Sequence, residues 1–443
     1  MPAFSAGLFF CLFCFRGISY KVKNCLRQII SPCPLNHEGV LLWGDLLYNI
    51  YMNILQQIFK EHYEELIYLL NPRKSIIENV DRMIHCGDSS FGGAMFGCEH
   101  CGNLKFVPFR CKSRFCPSCG TKYAIDRTTT MSFKLVNCIH RHCVFTIDEN
   151  LRIFFYEDRS LLNCLFAAVR STILRLFHDM NKAQQFTPGF ICVLHTFGRD
   201  LKWNPHIHCL ISEGGIGNSG LWRHVKHFSY IFLRNAFRTS LLNFLEDKIG
   251  TSFKSIKGKC YREHKHGFYV YAKPALSQPK DVLKYIGRYL GRPVIATSRI
   301  DNYDGDNVTF HYNRHEDNAL IYETVPVLDF MERLIQHIPE KHFKMIRYYG
   351  IYARHRSSDS KLIPAVPLNK RSFLLSCNKW RLSIGLSFGY DPLKCSCGNM
   401  MVLLELFHNH KRVPLEDLFR KAIEKYRRSH PNSCSHLAPF MLH

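Results

Sequence analysis

The chain has 443 residues, with 59 Lys and Arg against 36 Asp and Glu, for a net charge of +23. Apolar residues make up 46% of it and aromatics 13%, enough to bury a sizeable core, which excludes wholesale disorder. At roughly 150 residues per domain two or three domains are expected, and no apolar run reaches the about 18–20 residues of a membrane span. Positive charge spread along the chain calls for a polyanionic partner, most simply nucleic acid.

Residues 1–51 look foreign to the rest of the chain. Gly7 to Phe15 is a short apolar run with no Lys or Arg before it and no small-residue cleavage site after it. It reads as an upstream extension, with Met52 as the natural start. From Met52 to Leu70 apolar residues recur at helical spacing until Asn71-Pro72 stops them, and Ser75 to Ile84 is a second amphipathic stretch. Residues 52–130 are therefore expected to be a helical and zinc-binding domain. Strands are predicted at Cys143–Ile147, Gly189–His195 and His206–Ser212, with a helix over Leu161–Met180. Next come a helix over Trp222–Leu245, a strand at Gly267–Ala272, a helix over Gln278–Leu290 and strands near Val308–Tyr312 and Ala319–Thr324. This interleaving gives an α+β catalytic domain over residues 131–345, and residues 346–443 form a basic C-terminal region.

Five of the twenty cysteines fall between Cys98 and Cys119. Cys98-Glu-His-Cys101 and Cys116-Pro-Ser-Cys119 are two Cys-x-x-Cys pairs separated by fourteen residues. Zinc takes four thiolates in a tetrahedron, each pair supplies two, and the intervening residues are expected to form a hairpin that brings the turns together. Cys111 could replace or supplement one ligand. Cys138, Cys164, Cys192 and Cys209 sit among apolar residues and read as small core side chains in a reducing compartment. Around the knuckle, Lys105, Arg110, Lys112, Arg114 and Lys122 alternate with Phe106, Phe109 and Phe115, a mixture suited to phosphate contact and base stacking.

Pro205-His-Ile-His-Cys-Leu210 sets two histidines two apart. On a strand His206 and His208 share one face, while Ile207, Cys209 and Ile211 enter a core. Two imidazoles so placed can grip a divalent metal and leave positions open for water and a substrate phosphate. His140-Arg-His142 and His264-Lys-His266 have charged middle residues, so the same strand logic is weaker there. In the stretch Lys280 to Arg292, Tyr285 and Tyr289 lie one helical turn apart on one face, with Arg288 and Arg292 near it and Lys284 at its border. A phenol opposite a metal is suited to attack a phosphodiester.

Taken together, Cys98-Glu-His-Cys101, Cys111 to Cys119, Val193 to Gly198, Asn204 to His208, Tyr285-Ile-Gly-Arg-Tyr289 and Phe343 to Gly350 resemble, in content and order, one known family. It is the rolling-circle transposases of the insertion-sequence ninety-one family, in the two-tyrosine HUH endonuclease superfamily. The resemblance covers about residues 52–405. It implies an antiparallel-sheet HUH endonuclease domain with helices, preceded by the helical zinc-knuckle domain. It also implies a structural zinc, and a catalytic magnesium or manganese on His206 and His208 with a third ligand. Asp281, His195 and Glu213 are all open for that role. Tyr285 and Tyr289 would cut and rejoin single-stranded DNA at element ends through 5′-phosphotyrosine intermediates, with Lys284, Arg288, Arg292 and Arg114 on the DNA, and target DNA as the second substrate. A cytoplasmic, DNA-associated protein without a membrane partner is the corresponding expectation. A rolling-circle replication initiator or relaxase with the same chemistry, and a non-catalytic zinc-dependent nucleic-acid-binding protein, are the competing readings. The fuller C-terminal cysteine knuckle common in the family is reduced here to Cys395-Ser-Cys397.

Overall fold

The computed structural model describes residues 53–179, 186–217, 220–225, 228–272, 294–314, 316–353, 362–408 and parts of 411–428. The leader and the expected tyrosine helix lie outside these residues. In chain order the principal elements begin with helices α1 (Ile54–Glu61), α2 (Tyr63–Leu70) and α3 (Lys74–Ile84) and strands β1 (Gly92–Gly97) and β2 (Leu104–Pro108). Then come α4 (Pro117–Ser132), β3 (His140–Thr146), α5 (Leu162–Asp179), β4 (Thr187–Phe197), β5 (Trp203–Ile216), β6 (Trp222–His224), α6 (Tyr230–Ile249), α7 (Lys254–Glu263) and β7 (Val270–Ala272). The rest are β8 (Ile300–Tyr303), β9 (Asn307–Asn313), β10 (Leu320–Pro326), α8 (Val327–Ile335), β11 (Ile346–Gly350), α9 (Leu368–Cys377), α10 (Trp380–Phe388), β12 (Val402–His408) and β13 (Lys411–Val413). The α+β class and the antiparallel sheet are as expected.

Asn53 starts α1 with a capping box: its side-chain oxygen accepts from the Gln56 amide at 3.1 Å, satisfying a donor that the helix itself leaves unpaired. The single helix expected over 52–70 is broken at His62, whose φ of −109° closes α1 before α2 begins.

The chain forms two compact units, Asn53–Asp81 with Lys112–Asn378, and Arg82–Cys111 with the residues from Lys379 onward. The boundaries expected at 130 and 345 are therefore not those of the compact units. Strand pairing is the reason. In the smaller unit the sheet order is β13-β12-β1-β2, so β1 pairs with a strand some 300 residues later, Gly97 opposite Val402 and Gly92 opposite His408. In the larger unit β11, beyond the expected limit at 345, pairs along β4 with Tyr348 opposite Ile191.

The larger unit is organised by an antiparallel sheet of order β11-β4-β5-β3-β7, with β6 beside the end of β5. Alternation along the strands divides the sheet into two faces. Phe190, Cys192 and Leu194 of β4, Ile207, Cys209 and Ile211 of β5, and Cys143 and Phe145 of β3 turn to one side. They pack against Leu165, Phe166, Val169 and Ile173 of α5 and Phe237, Leu241 and Leu245 of α6 in one buried cluster. Among the described residues one helix, Arg159–Asp179, is long and apolar enough to cross a bilayer, and its apolar side chains are part of this cluster. On the opposite face Ile191, Val193 and Leu210 meet Met131, Leu135, Ile351 and Tyr352.

Candidate metal centres

The four cysteines expected to hold one zinc are divided between the two compact units, Cys98 and Cys101 in the smaller and Cys116 and Cys119 in the larger. Cys98 and Cys101 occupy the turn of the β1–β2 hairpin, where their sulphurs lie with those of Cys395 and Cys397, all within 4.8 Å of one another. Cys116 and Cys119, at the start of α4, are not among these four. The hairpin explains the correction. Cys86 precedes β1 and Cys111 follows β2, so both flank its base, where the Cys111 amide donates to the Cys86 sulphur at 3.4 Å. A strand of five residues separates turn from base by about 17 Å. The intervening residues do form a hairpin, with Cys98 and Cys101 at its turn.

The histidines lie on the sheet face opposite α5 and α6. His195 on β4 stands directly across from His206 on β5, and His208 follows two residues on. Each offers a ring nitrogen within 4.8 Å of the other two. His208 is buried, while His195 and His206 are half-buried. The Nδ1 of His206 donates to the Asn204 carbonyl at 2.7 Å, which fixes the ring and turns its Nε2 toward the Nε2 of His208 at 3.0 Å. Behind His208, its Nδ1 lies 3.1 Å from the Nε2 of His142 on β3, and the two rings stack with centroids 5.2 Å apart. Burial pushes the His206 and His208 imidazoles below their ordinary pKa, His208 the further because His195, His206 and His142 also disfavour a charge there. Neutral imidazoles are the form that binds metal.

Of the residues open as a third ligand, His195 joins the pair. Glu213 has the wrong parity: it lies on the face of Ile207 and Ile211, and there it accepts from Arg141 at 2.6 Å. Asp281 lies outside the described residues.

Residues 58–147 match the family described as "Transposase zinc-binding domain", and residues 189–360 match that described as "Putative transposase". The first span takes in Cys86 to Cys119 and the second all three histidines of the cluster. The chain belongs to the insertion-sequence ninety-one family of transposases. It is 29% identical to the "Transposase for insertion sequence element IS801" of Pseudomonas savastanoi pv. phaseolicola over 299 residues, 62% of this chain and 70% of the relative. It is 28% identical to the "Putative transposase y4qJ" of Sinorhizobium fredii over 301 residues, 62% of this chain and 74% of that one. No solved structure matches. Membership in the family makes DNA the substrate and zinc a structural component.

Other residues singled out from the transposase sequence are differently placed. Tyr285, Tyr289, Lys284, Arg288 and Arg292 lie outside the described residues. Arg114 is half-buried, with its guanidinium 5.0 Å from the centre of the Tyr123 ring. Phe115 is buried edge-on against Phe59 at 5.4 Å, so it is a core residue and does not present a face to bases. Cys164, Cys192 and Cys209 are buried free cysteines as expected, and Cys138 is half-buried. Sequence reasoning passed over the pairing of Cys395 and Cys397 with Cys98 and Cys101, and His142, which a charged neighbour disguised. Arg141 is no obstacle: its side chain turns to the other face and meets Glu213 and the Tyr230 hydroxyl.

Proposed function

We propose that this transposase cleaves and rejoins single-stranded DNA at the ends of its element. The observation that carries the reading is the convergence of His195, His206 and His208 on adjoining central strands. The donor set suits a divalent ion: two nitrogens 3.0 Å apart match the about 3.0 Å between neighbouring ligands of an octahedral ion bound at about 2.1 Å. His195, His206 and His208 would hold it, and imidazole donors suit manganese better than magnesium, which prefers oxygen. Bound there, it would polarise a DNA phosphate and offset the charge that develops on it.

The protein's own part in the reaction falls to the tyrosines. The phenolic oxygen of Tyr285 or Tyr289 attacks phosphorus and the bond to the 3′ oxygen breaks. The 5′ phosphate stays on the tyrosine and the proton ends on the released 3′ hydroxyl. The reverse step joins a new strand, and a second tyrosine allows a further cleavage while the first is occupied. An ordinary phenol, with a pKa near 10, is mostly protonated at neutral pH, so Lys284 and Arg288 are assigned to favouring its ionised form. Arg292 and Arg114 would contact the backbone. This chemistry belongs in the cytoplasm, where DNA is at hand.

The test is incubation with single-stranded DNA from the element's ends, with and without manganese. A covalent protein–DNA adduct that requires the metal is expected. It should vanish in Tyr285→Phe/Tyr289→Phe and in His206→Ala, with DNA binding largely kept. An adduct that persists in the double tyrosine variant, mapped to another residue, would overturn the assignment.

A further inference from the structure

The four-cysteine group at the hairpin turn reaches outside the span matched by the zinc-binding family, since Cys395 and Cys397 stand some 300 residues further along. We infer that Cys98, Cys101, Cys395 and Cys397 bind a second zinc ion, which locks the C-terminal segment onto the β1–β2 hairpin.

The sulphurs are spaced for it. Cys98 and Cys397 lie 3.5 Å apart and Cys101 and Cys395 3.4 Å apart. Zinc–sulphur bonds of about 2.3 Å in a tetrahedron place sulphurs about 3.8 Å apart. The two ligand turns are built alike. Each ends in Cys-Gly-Asn, as Cys101-Gly102-Asn103 and as Cys397-Gly398-Asn399. In each the first cysteine's amide donates to the asparagine carbonyl, Cys98 to Asn103 at 2.9 Å and Cys395 to Asn399 at 2.8 Å. In each the glycine amide donates back to that first cysteine's carbonyl. The glycines have φ of +73° and +91°, a conformation other residues adopt only at a cost. Side-chain amides serve the sulphurs as well: Asn103 donates to Cys395 at 3.5 Å and Asn399 to Cys397 at 3.6 Å. Such donors stabilise thiolates, the form that binds zinc. Cys98 and Cys395 are buried with Met401 against Phe96, while Cys101 and Cys397 face solvent. That arrangement gives the ion an apolar floor and an entry path.

The consequence is topological. The segment from Leu393 to His408 completes the sheet begun by β1, and the ion would be clamped beside the Gly97–Val402 pairing. The C-terminal region is then part of the zinc-binding fold.

The test counts zinc in the full-length protein, purified without chelator, by native mass spectrometry and elemental analysis. Two ions per chain are expected. Cys395→Ser/Cys397→Ser should retain one. Cys397→His, which keeps a ligand, should retain two, and its cobalt-substituted form should show one all-sulphur site and one with a nitrogen ligand. One ion in the unmodified protein, two in the double serine variant, or an all-sulphur pair of cobalt sites in Cys397→His would overturn the inference. Finding Cys98 disulphide-bonded to Cys397 in freshly isolated protein would do so too. None of these readouts depends on DNA cleavage.

Discussion

The smaller and larger units hold their candidate metal ligands in opposite ways. In the smaller one, Cys98 and Cys395 are themselves core residues: the buried cluster at that end consists of these two and Met401, with Phe96 against it. In the larger one, the histidines ride on strands already fixed from behind by Phe145, Phe166, Phe190 and Phe237, all fully buried. The cysteines come from segments some 300 residues apart, joined by the β1–β12 ladder with only a small apolar cluster beside it. The histidines come from neighbouring strands whose ladder sets their spacing before any ion arrives. On the proposed reading, a metal would supply the fold where apolar burial is scarce, and the fold would present a metal site for chemistry where it is plentiful.

The sharpest way to break this comparison is chelation. Removing zinc is expected to unfold the smaller unit and spare the larger, because a structural zinc contributes about 10–16 kcal/mol of apparent binding energy near neutral pH. Hydrogen exchange after treatment with a strong zinc chelator should show residues 92–108 and 402–408 losing protection while 187–197 and 203–216 keep it. Equal loss in both sets would show that the larger unit also depends on its metals. The converse variant is Phe145→Ala. It removes a fully buried ring that packs at 5.1 Å against Phe237 and should cost about 3–5 kcal/mol. Here protection should fall in the six-stranded sheet, with zinc content unchanged. Loss of zinc in this variant would erase the distinction between the units.

The same contrast explains what could be read in the sequence. Alternation in Pro205-His-Ile-His-Cys-Leu210 placed both histidines on one face of a strand, because that strand's other face is apolar and its register is set by burial. The helix expected over Leu161–Met180 is present as α5, since eighteen residues of unbroken amphipathic pattern leave little ambiguity. The same parity would have excluded Glu213, which is five residues from His208 and so faces the other way. The cysteine partnerships were not legible, because spacing describes the contents of a turn and says nothing of which distant turn it meets. The pairing of β1 with β12 is non-local, and only the repeated Cys-Gly-Asn hinted at it. The break in the first helix at His62 was likewise hidden, since apolar residues continue at helical spacing through it.

A finer test concerns His142, which touches neither DNA nor metal in the proposed site and acts through His208. Its Nε2 lies 3.1 Å from the Nδ1 of His208, so it orients that ring with the Nε2 toward His206. Partners of this kind are worth about 10–100-fold in metal affinity, or about 1.4–2.7 kcal/mol. His142→Phe keeps a ring of similar shape for stacking but removes the nitrogen. It is expected to weaken manganese binding by that factor, read by titration of the ion's magnetic resonance signal. Cleavage should return at high manganese, because the three ligands remain. His142→Gln, whose amide can reach the same nitrogen, should restore part of the affinity at low manganese. Zinc content and exchange protection of the sheet should be unchanged in both variants. Unaltered manganese affinity in His142→Phe would mean that β3 contributes only packing, and that β4 and β5 alone orient the histidines.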